Sequence, residues 1–163
     1  MHDITEKDAL REIIADWRRA GEHVALVPTM GSLHDGHLAL VDIARQNAER
    51  VVVSIFVNPT QFGDDEDYED YPRSLELDKR KCKRANVDLV FAPEVDTMYP
   101  FGTDTATSVT LPVLTDDLCG QLRPGHFDGV TSVVSRLFSL VQPDVAVFGQ
   151  KDYQQLIVLR RMV

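Results

Sequence analysis

The run Pro28-Thr29-Met30-Gly31-Ser32-Leu33-His34-Asp35-Gly36-His37 gathers the side chains best placed to do chemistry. It follows an apolar segment, Val24-Ala25-Leu26-Val27, and precedes an amphipathic one with Leu38, Leu40, Val41 and Ile43. A strand, a glycine turn and a helix in that order form an anion site: backbone N–H groups and the positive end of the helix dipole face the ligand. His34 and His37 stand three apart, so both imidazoles can share one face of the first helical turn. Gly36 between them carries no side chain, which lets a nucleotide come close to the backbone. His-x-Gly-His therefore reads as a phosphate grip whose donors can follow charge as it moves during nucleotidyl transfer.

Other residues of chemical interest stand at the ends of apolar runs. Gln61, in Asn58-Pro59-Thr60-Gln61-Phe62, offers both a donor and an acceptor, which suits a hydroxy acid; the alternative is a loop glutamine in solvent. In Gly149-Gln150-Lys151-Asp152, Lys151 can meet a phosphate as a point charge and Asp152 can cap the helix that follows. A plain glycine turn with a capping aspartate is the competing reading. Gln154 and Gln155 fall in the first turn of that helix, so one of them is expected to face the same crevice. Arg123-Pro124-Gly125-His126-Phe127-x-Gly129 is a loop that becomes a third group of donors if it lies near the phosphates. The acidic run from Gly63 to Asp70 reads as a solvated loop, since like charges repel, and it lacks calcium-loop spacing.

These segments need a framework that brings them to one edge. Leu10, Ile13, Ile14 and Trp17 predict a first helix, opened by a Thr5-x-x-Asp8 capping box and stopped by Gly21. Strands are expected at Val24 to Val27 and at Val51 to Val57, the latter apolar almost throughout, as for a strand covered on both faces. A helix over 36–48 joins them. Ser74 to Ala85 reads as a helix, Leu89 to Phe91 as a short strand, and Thr107 to Leu111 as an edge strand. Val130 to Val141 is an apolar-faced helix ended by Pro143, followed by a strand at Val145 to Phe148 and a last helix from Asp152 to about Met162. This alternation predicts an α/β fold, a Rossmann-like doubly wound and mostly parallel sheet with helices on both faces. Ligands then belong at the carboxyl ends of the strands.

The chain has 163 residues, which suits one domain able to bury roughly two thirds of its unfolded surface. Its 44% hydrophobic and 26% charged residues are those of an ordinary globular protein. A net charge of −9 argues against a sequence-independent grip on nucleic acid, though not against a small anion held by local donors. Cys82 and Cys119 have no metal-type spacing and read as free thiols of a reducing compartment. With neither a signal peptide nor an apolar run of membrane-spanning length, the expectation is a cytoplasmic protein without a membrane partner.

The His-x-Gly-His motif is shared by nucleotidyltransferases, class I aminoacyl-tRNA synthetases and some ligases, so alone it leaves the reaction class open. A longer set of segments resembles the pantothenate synthetase (pantoate–β-alanine ligase) family. The first is Val24-Ala-Leu-Val-Pro-Thr-Met-Gly-x-Leu-His-x-Gly-His37, followed by Ser54-Ile-Phe-Val-Asn-Pro-x-Gln-Phe62 and Tyr71-Pro-Arg73. Then come Val87-Asp-x-Val-Phe-Ala-Pro93, Met98-Tyr-Pro100, Arg123-Pro-Gly-His-Phe-x-Gly129 and Phe148-Gly-x-Lys-Asp-x-Gln-Gln155. They keep the family's order through nearly the whole chain.

The resemblance implies a division of work. Met30, Gly31, Ser32, Leu33, His34, Asp35, Gly36 and His37 would line the ATP site, with His37 donating to the reacting phosphates beside His34. Gly149, Gln150, Lys151 and Asp152 would hold the nucleotide, with Lys151 on the phosphates. Gln61 and Gln155 would bind pantoate and β-alanine, and Asp78 is a candidate metal-linked position for the magnesium that accompanies ATP. No tightly bound cofactor is implied. The chemistry would be attack of the pantoate carboxylate on the α-phosphorus, giving pantoyl adenylate and pyrophosphate, then displacement of AMP by β-alanine. The resemblance also implies a homodimer, and a C-terminal lid domain with a Ser-Ser-Arg-Asn signature that this chain lacks. The expectation is thus a single N-terminal domain over 1–163 that binds ligands and turns over poorly or not at all. Two other readings stay open: another nucleotidyltransferase with the same motif, which would need a basic pocket for a second phosphate, and a non-catalytic, dimerising ligand-binding module.

Overall fold

In the computed structural model the strand His2–Ile4 (β1) is followed by helix Lys7–Arg19 (α1), strand Val24–Thr29 (β2) and helix Asp35–Asn47 (α2). Strand Arg50–Ile55 (β3), a 3-10 turn Pro59–Gln61, helix Leu75–Arg84 (α3) and strand Leu89–Phe91 (β4) come next. Two short helices, Val95–Met98 (α4) and Cys119–Leu122 (α5), lead to the long helix His126–Val141 (α6), strand Val145–Ala146 (β5) and helix Tyr153–Met162 (α7). All residues are described except 64, 65, 67, 113 and 116, so part of the acidic run from Gly63 to Asp70 lies outside the described residues.

The strands form one parallel sheet in the order β1-β4-β3-β2-β5. Side chains alternate across it, as a period of two requires. Ala25, Val27, Val51, Val53 and Val90 meet Val41 and Ala44 of α2 and Cys82 of α3 on one face. Val24, Leu26, Val52, Leu89 and Phe91 meet Leu10, Ile14 and Trp17 of α1, the apolar stripe of α6 and Leu159 of α7 on the other. Both faces are covered, which explains why β2 and β3 read as unbroken apolar runs. From β2 the chain steps outward through β3 to β4, then crosses to place β5 on β2's other side. The strand order reverses there, and at such a reversal the carboxyl ends of neighbouring strands open a crevice.

Several expectations are corrected. Thr107 to Leu111 is not a strand, because side chains of α6 take its polar backbone groups. Ser132 Oγ accepts from the Val109 N–H at 2.8 Å, Thr131 Oγ1 donates to the Val109 carbonyl, and Arg136 Nη2 donates to the Thr107 carbonyl at 2.9 Å. The Val145 to Phe148 strand shortens to Val145–Ala146, with one further bond from Val147 N–H to the Leu26 carbonyl at 2.9 Å. The Thr5-x-x-Asp8 box does not form: Glu6 is the N-cap of α1 and no side chain caps it. Helix α6 begins at His126 rather than Val130, after Gly125 turns through a φ of 79°. β1 carries too few residues to show a period, and only its pairing with β4 reveals it.

Candidate functional site

The loop from β2 to α2 is held from below by α3. Gly31 and Ser32 both have positive φ, 88° and 50°. That tight reversal aims the Ser32 and Leu33 N–H groups at Asp78, each at 2.8 Å from one carboxylate oxygen. Asp78 is fully buried, and Ser74 Oγ donates to it at 3.1 Å. Lys81, one turn along α3, donates to the Leu33 carbonyl. A Cβ on Gly31 would come within 3.3 Å of the Asp78 oxygen and 3.2 Å of Ile55, so this position favours glycine on both counts. Leu33 itself is buried in the core under α2, which leaves only its backbone near the cleft.

His34 is the N-cap of α2. Its Nδ1 accepts the Gly36 N–H at 3.1 Å, while His37 Nδ1 accepts the His34 N–H at 3.3 Å, a reciprocal capping box made of two imidazoles. Backbone N–H groups only donate, so both Nδ1 atoms are acceptors and each neutral ring carries its proton on Nε2. The ring centroids lie 4.2 Å apart. The His37 pKa is lowered, chiefly by burial and then by His34; Lys151 and Lys81 push the same way and Asp78 opposes them. His37 is thus a neutral Nε2–H donor at neutral pH. Gly36 has a second reason to be glycine: a Cβ there would sit 2.8 Å from Cε1 of the His34 ring, which folds back over the turn.

The end of β5 supplies the opposite bank. Lys151 is exposed and its charge acts on His37, while Asp152 acts on Tyr71 and His126. Asp152 is the N-cap of α7 but its side chain makes no capping bond, which corrects the expected cap. Gln150, exposed, also lines an apolar groove of about 720 Å³ beside β5 and α7. Gln154 is committed elsewhere, accepting from Cys119 N–H at 3.0 Å and donating to the Leu114 and Asp117 carbonyls. Gln155, half-buried in the same turn, has no described hydrogen-bond partner.

Gln61 is buried, not a loop residue in solvent. Asn58 fixes it. The Asn58 Oδ1 accepts from Tyr99 O–H at 2.7 Å and from the Thr60 N–H and hydroxyl, so Nδ2 must face the Gly129 carbonyl and Gln61 Oε1, both at 3.2 Å. Gln61 Nε2 is left against the Met30 sulfur at 3.1 Å, a weak acceptor that a ligand oxygen could replace. Gly129 lets α6 cross this turn: a Cβ would stand 2.3 Å from the Thr60 carbonyl oxygen. The Arg123 loop spends its donors on partners within the protein. Arg123 forks onto Glu66 and also reaches His126 Nε2 at 3.1 Å, while His126 Nδ1 donates to the Gln61 carbonyl at 2.8 Å. Burial lowers the His126 pKa and keeps that ring neutral. Residue type alone does not point to Lys81, Tyr99 or Glu66 as contacts of the site. Lys81 was open to notice as the i+3 neighbour of Asp78 on α3, whereas the Tyr99 and Glu66 contacts join segments with no shared pattern.

Among the described residues no three His, Cys, Asp or Glu side chains gather as a metal-ligand set. The Asp78 oxygens already accept from two amides and a hydroxyl, so the carboxylate works as a brace for the loop. Beside it lies a cavity of about 240 Å³ between the ends of β2, β3 and β4, lined by Met30, Gly31, Phe56, Tyr68, Arg73 and Asp78, among others.

A parallel sheet whose switch-point end carries two Nε2–H donors, a nearby lysine and a buried amide against Met30 defines an α/β protein of the His-x-Gly-His type. Comparison narrows that class. A family profile described as Pantoate-beta-alanine ligase matches residues 2–163, and this chain belongs to that family. A curated pantothenate synthetase from Xanthomonas campestris pv. campestris (strain B100) is 59% identical over 160 residues, covering 98% of this chain and 56% of that protein. A crystal structure of pantothenate synthetase from Thermus thermophilus superposes with a TM-score of 0.93 at 53% identity, over 100% of this chain and 57% of that one. A Francisella tularensis pantoate-beta-alanine ligase, described as complexed with beta-gamma ATP and beta-alanine, gives 0.94 at 34% identity, over 100% of this chain and 62% of that one. The chain thus spans a little over half the length of the relatives it matches. No helix among the described residues is long and apolar enough to cross a membrane.

Proposed function

We propose that this chain carries the nucleotide and hydroxy-acid sites of an ATP-dependent ligase that joins (R)-pantoate to β-alanine through a pantoyl-adenylate intermediate. The observation that carries the reading is that one strand-end loop presents two Nε2–H imidazoles and, through Met30, meets the amide of the buried Gln61. Membership of the ligase family and the relative complexed with a form of ATP and β-alanine support it.

In this reading His37 and His34 donate to the phosphates and Lys151 neutralises them. Met30 to His37 and Gly149 to Asp152 border the nucleotide. Gln61 and Gln155 hold pantoate, Gln61 giving its N–H to a substrate hydroxyl or carboxylate oxygen. Such fixed donors stabilise charge as it shifts from the α-phosphorus to leaving pyrophosphate, without having to reorient. A neutral histidine suits this role, because it donates without surrendering a proton to the product. Magnesium enters as part of the nucleotide substrate, where it would neutralise phosphate charge; no step is assigned to a metal held by Asp78. The homodimer implied by the resemblance belongs to the same reading, and sedimentation checks it.

The test is release of pyrophosphate from ATP in single turnovers. Release that requires pantoate supports the ligase, because pyrophosphate leaves the α-phosphorus only when the pantoate carboxylate attacks it. Release driven instead by a phosphorylated acceptor would assign the chain to another nucleotidyl transfer.

A further inference from the structure

We propose that the cavity between the start of α1 and the middle of α6 is a second anion site, which takes a small phosphate-bearing molecule apart from the nucleotide crevice. The cavity measures about 320 Å³, and Lys7, Arg11 and Arg136 line it together with five hydroxyl side chains and not one carboxylate. In a chain with 26 acidic and 17 basic residues, a concave surface of that composition is far from the average.

Its cations are poised rather than spent. Arg136 Nη2 donates to the Thr107 carbonyl at 2.9 Å, and its guanidinium lies 4.9 Å from the centre of the Tyr99 ring, which holds the fork in place. Its Nε is buried with no described partner, so the hydrogen-bonding capacity of the guanidinium is not used up. Lys7 is half-buried and enters no described ion pair. Arg11 meets only Asp8, at 3.8 Å, with both side chains more than half exposed, so that pair competes weakly. Ser132 Oγ uses a lone pair on the Val109 N–H and keeps its own proton to give.

Three cations from two helices, with a hydroxyl between them, suit a compact dianion with several oxygens better than a carboxylate with two. The volume exceeds that of a phosphate alone and leaves room for a small organic remainder. None of the lining residues comes from the ends of β2 or β5, so the two sites are separate.

Inorganic phosphate is the probe, followed by NMR with nitrogen-labelled arginine and backbone, against sodium chloride at matched ionic strength. Saturable shifts of the Arg136 Nε–H and of the Lys7 and Ser132 amides, absent with chloride, are expected. Lys7→Met should weaken the affinity read at those resonances about tenfold while leaving phosphate shifts at His34 and His37 unchanged. Lys7 is chosen because Arg136→Met would also disturb the packing on Tyr99; that second variant should abolish the effect. Shifts that do not saturate, that chloride reproduces, that survive Lys7→Met, or that appear only at His34, His37 and Lys151 would each overturn the proposal. The readouts at Arg136, Lys7 and Ser132 do not depend on the ligase reading, because those residues line this cavity and not the strand-end crevice.

Discussion

Asp78 ties α3 to a loop 45 residues earlier by accepting the Leu33 and Ser32 N–H groups, so a carboxylate outside the crevice shapes the turn that faces it. Asp78→Asn puts an amide N–H where an oxygen accepted, and a buried donor without an acceptor costs about 1–3 kcal/mol. Urea denaturation should show that loss, and nucleotide binding should weaken with it; an unchanged midpoint would deny the brace. The imidazoles carry a sharper expectation. Ring-nitrogen NMR should find both protons on Nε2, and the His37 midpoint below the usual value of about 6.5. His34 and His37 were legible as a pair from their spacing. The reason for Gly36 was only half legible, because the ring of His34 folding over that Cα depends on side-chain torsions that a sequence pattern does not contain.

At the level of elements, the crossing of α6 over the Pro59–Gln61 turn sets where Gln61 sits. Gly129→Ala would drive a methyl to 2.3 Å from the Thr60 carbonyl, where backbone must move. A loss of roughly 1–3 kcal/mol is expected, the range for overpacking, with weaker pantoate binding. Gly149→Ala is the control: its methyl would meet only Leu40, at 3.9 Å, and the thermal midpoint should not change. Helices and central strands were legible because their periods are long and both faces of the sheet are apolar. Thr107 to Leu111 misled because a β-rich composition says nothing about which partner takes the backbone groups, and here α6 hydroxyls and a guanidinium do. The strand-end loops are legible from residue type and turn chemistry, whereas the Glu66–Arg123–His126–Gln61 chain joins segments up to 65 residues apart and shows only in the fold.

For the molecule as a whole, the lowered pKa values of His37 and His126 couple folding to pH. Below about pH 6.5 the unfolded chain binds protons at both rings while the folded chain resists them. The unfolded state then holds more protons, so stability falls as pH drops from 7 toward 5. The lowered carboxylates Glu22, Glu49 and Glu66 add a loss of the same sign, but only below about pH 4.3. Denaturation midpoints at pH 7 and 5 should therefore differ, and differ less in His37→Gln. The central claim is that one crevice holds nucleotide and hydroxy acid together, and an NMR titration with (R)-pantoate tests it most directly, in the presence of magnesium and a non-hydrolysable ATP analogue. The account predicts saturable shifts of the Gln61 and Gln155 side-chain amides that unrelated hydroxy acids do not produce. Binding of the nucleotide with no response of either glutamine to pantoate would contradict it.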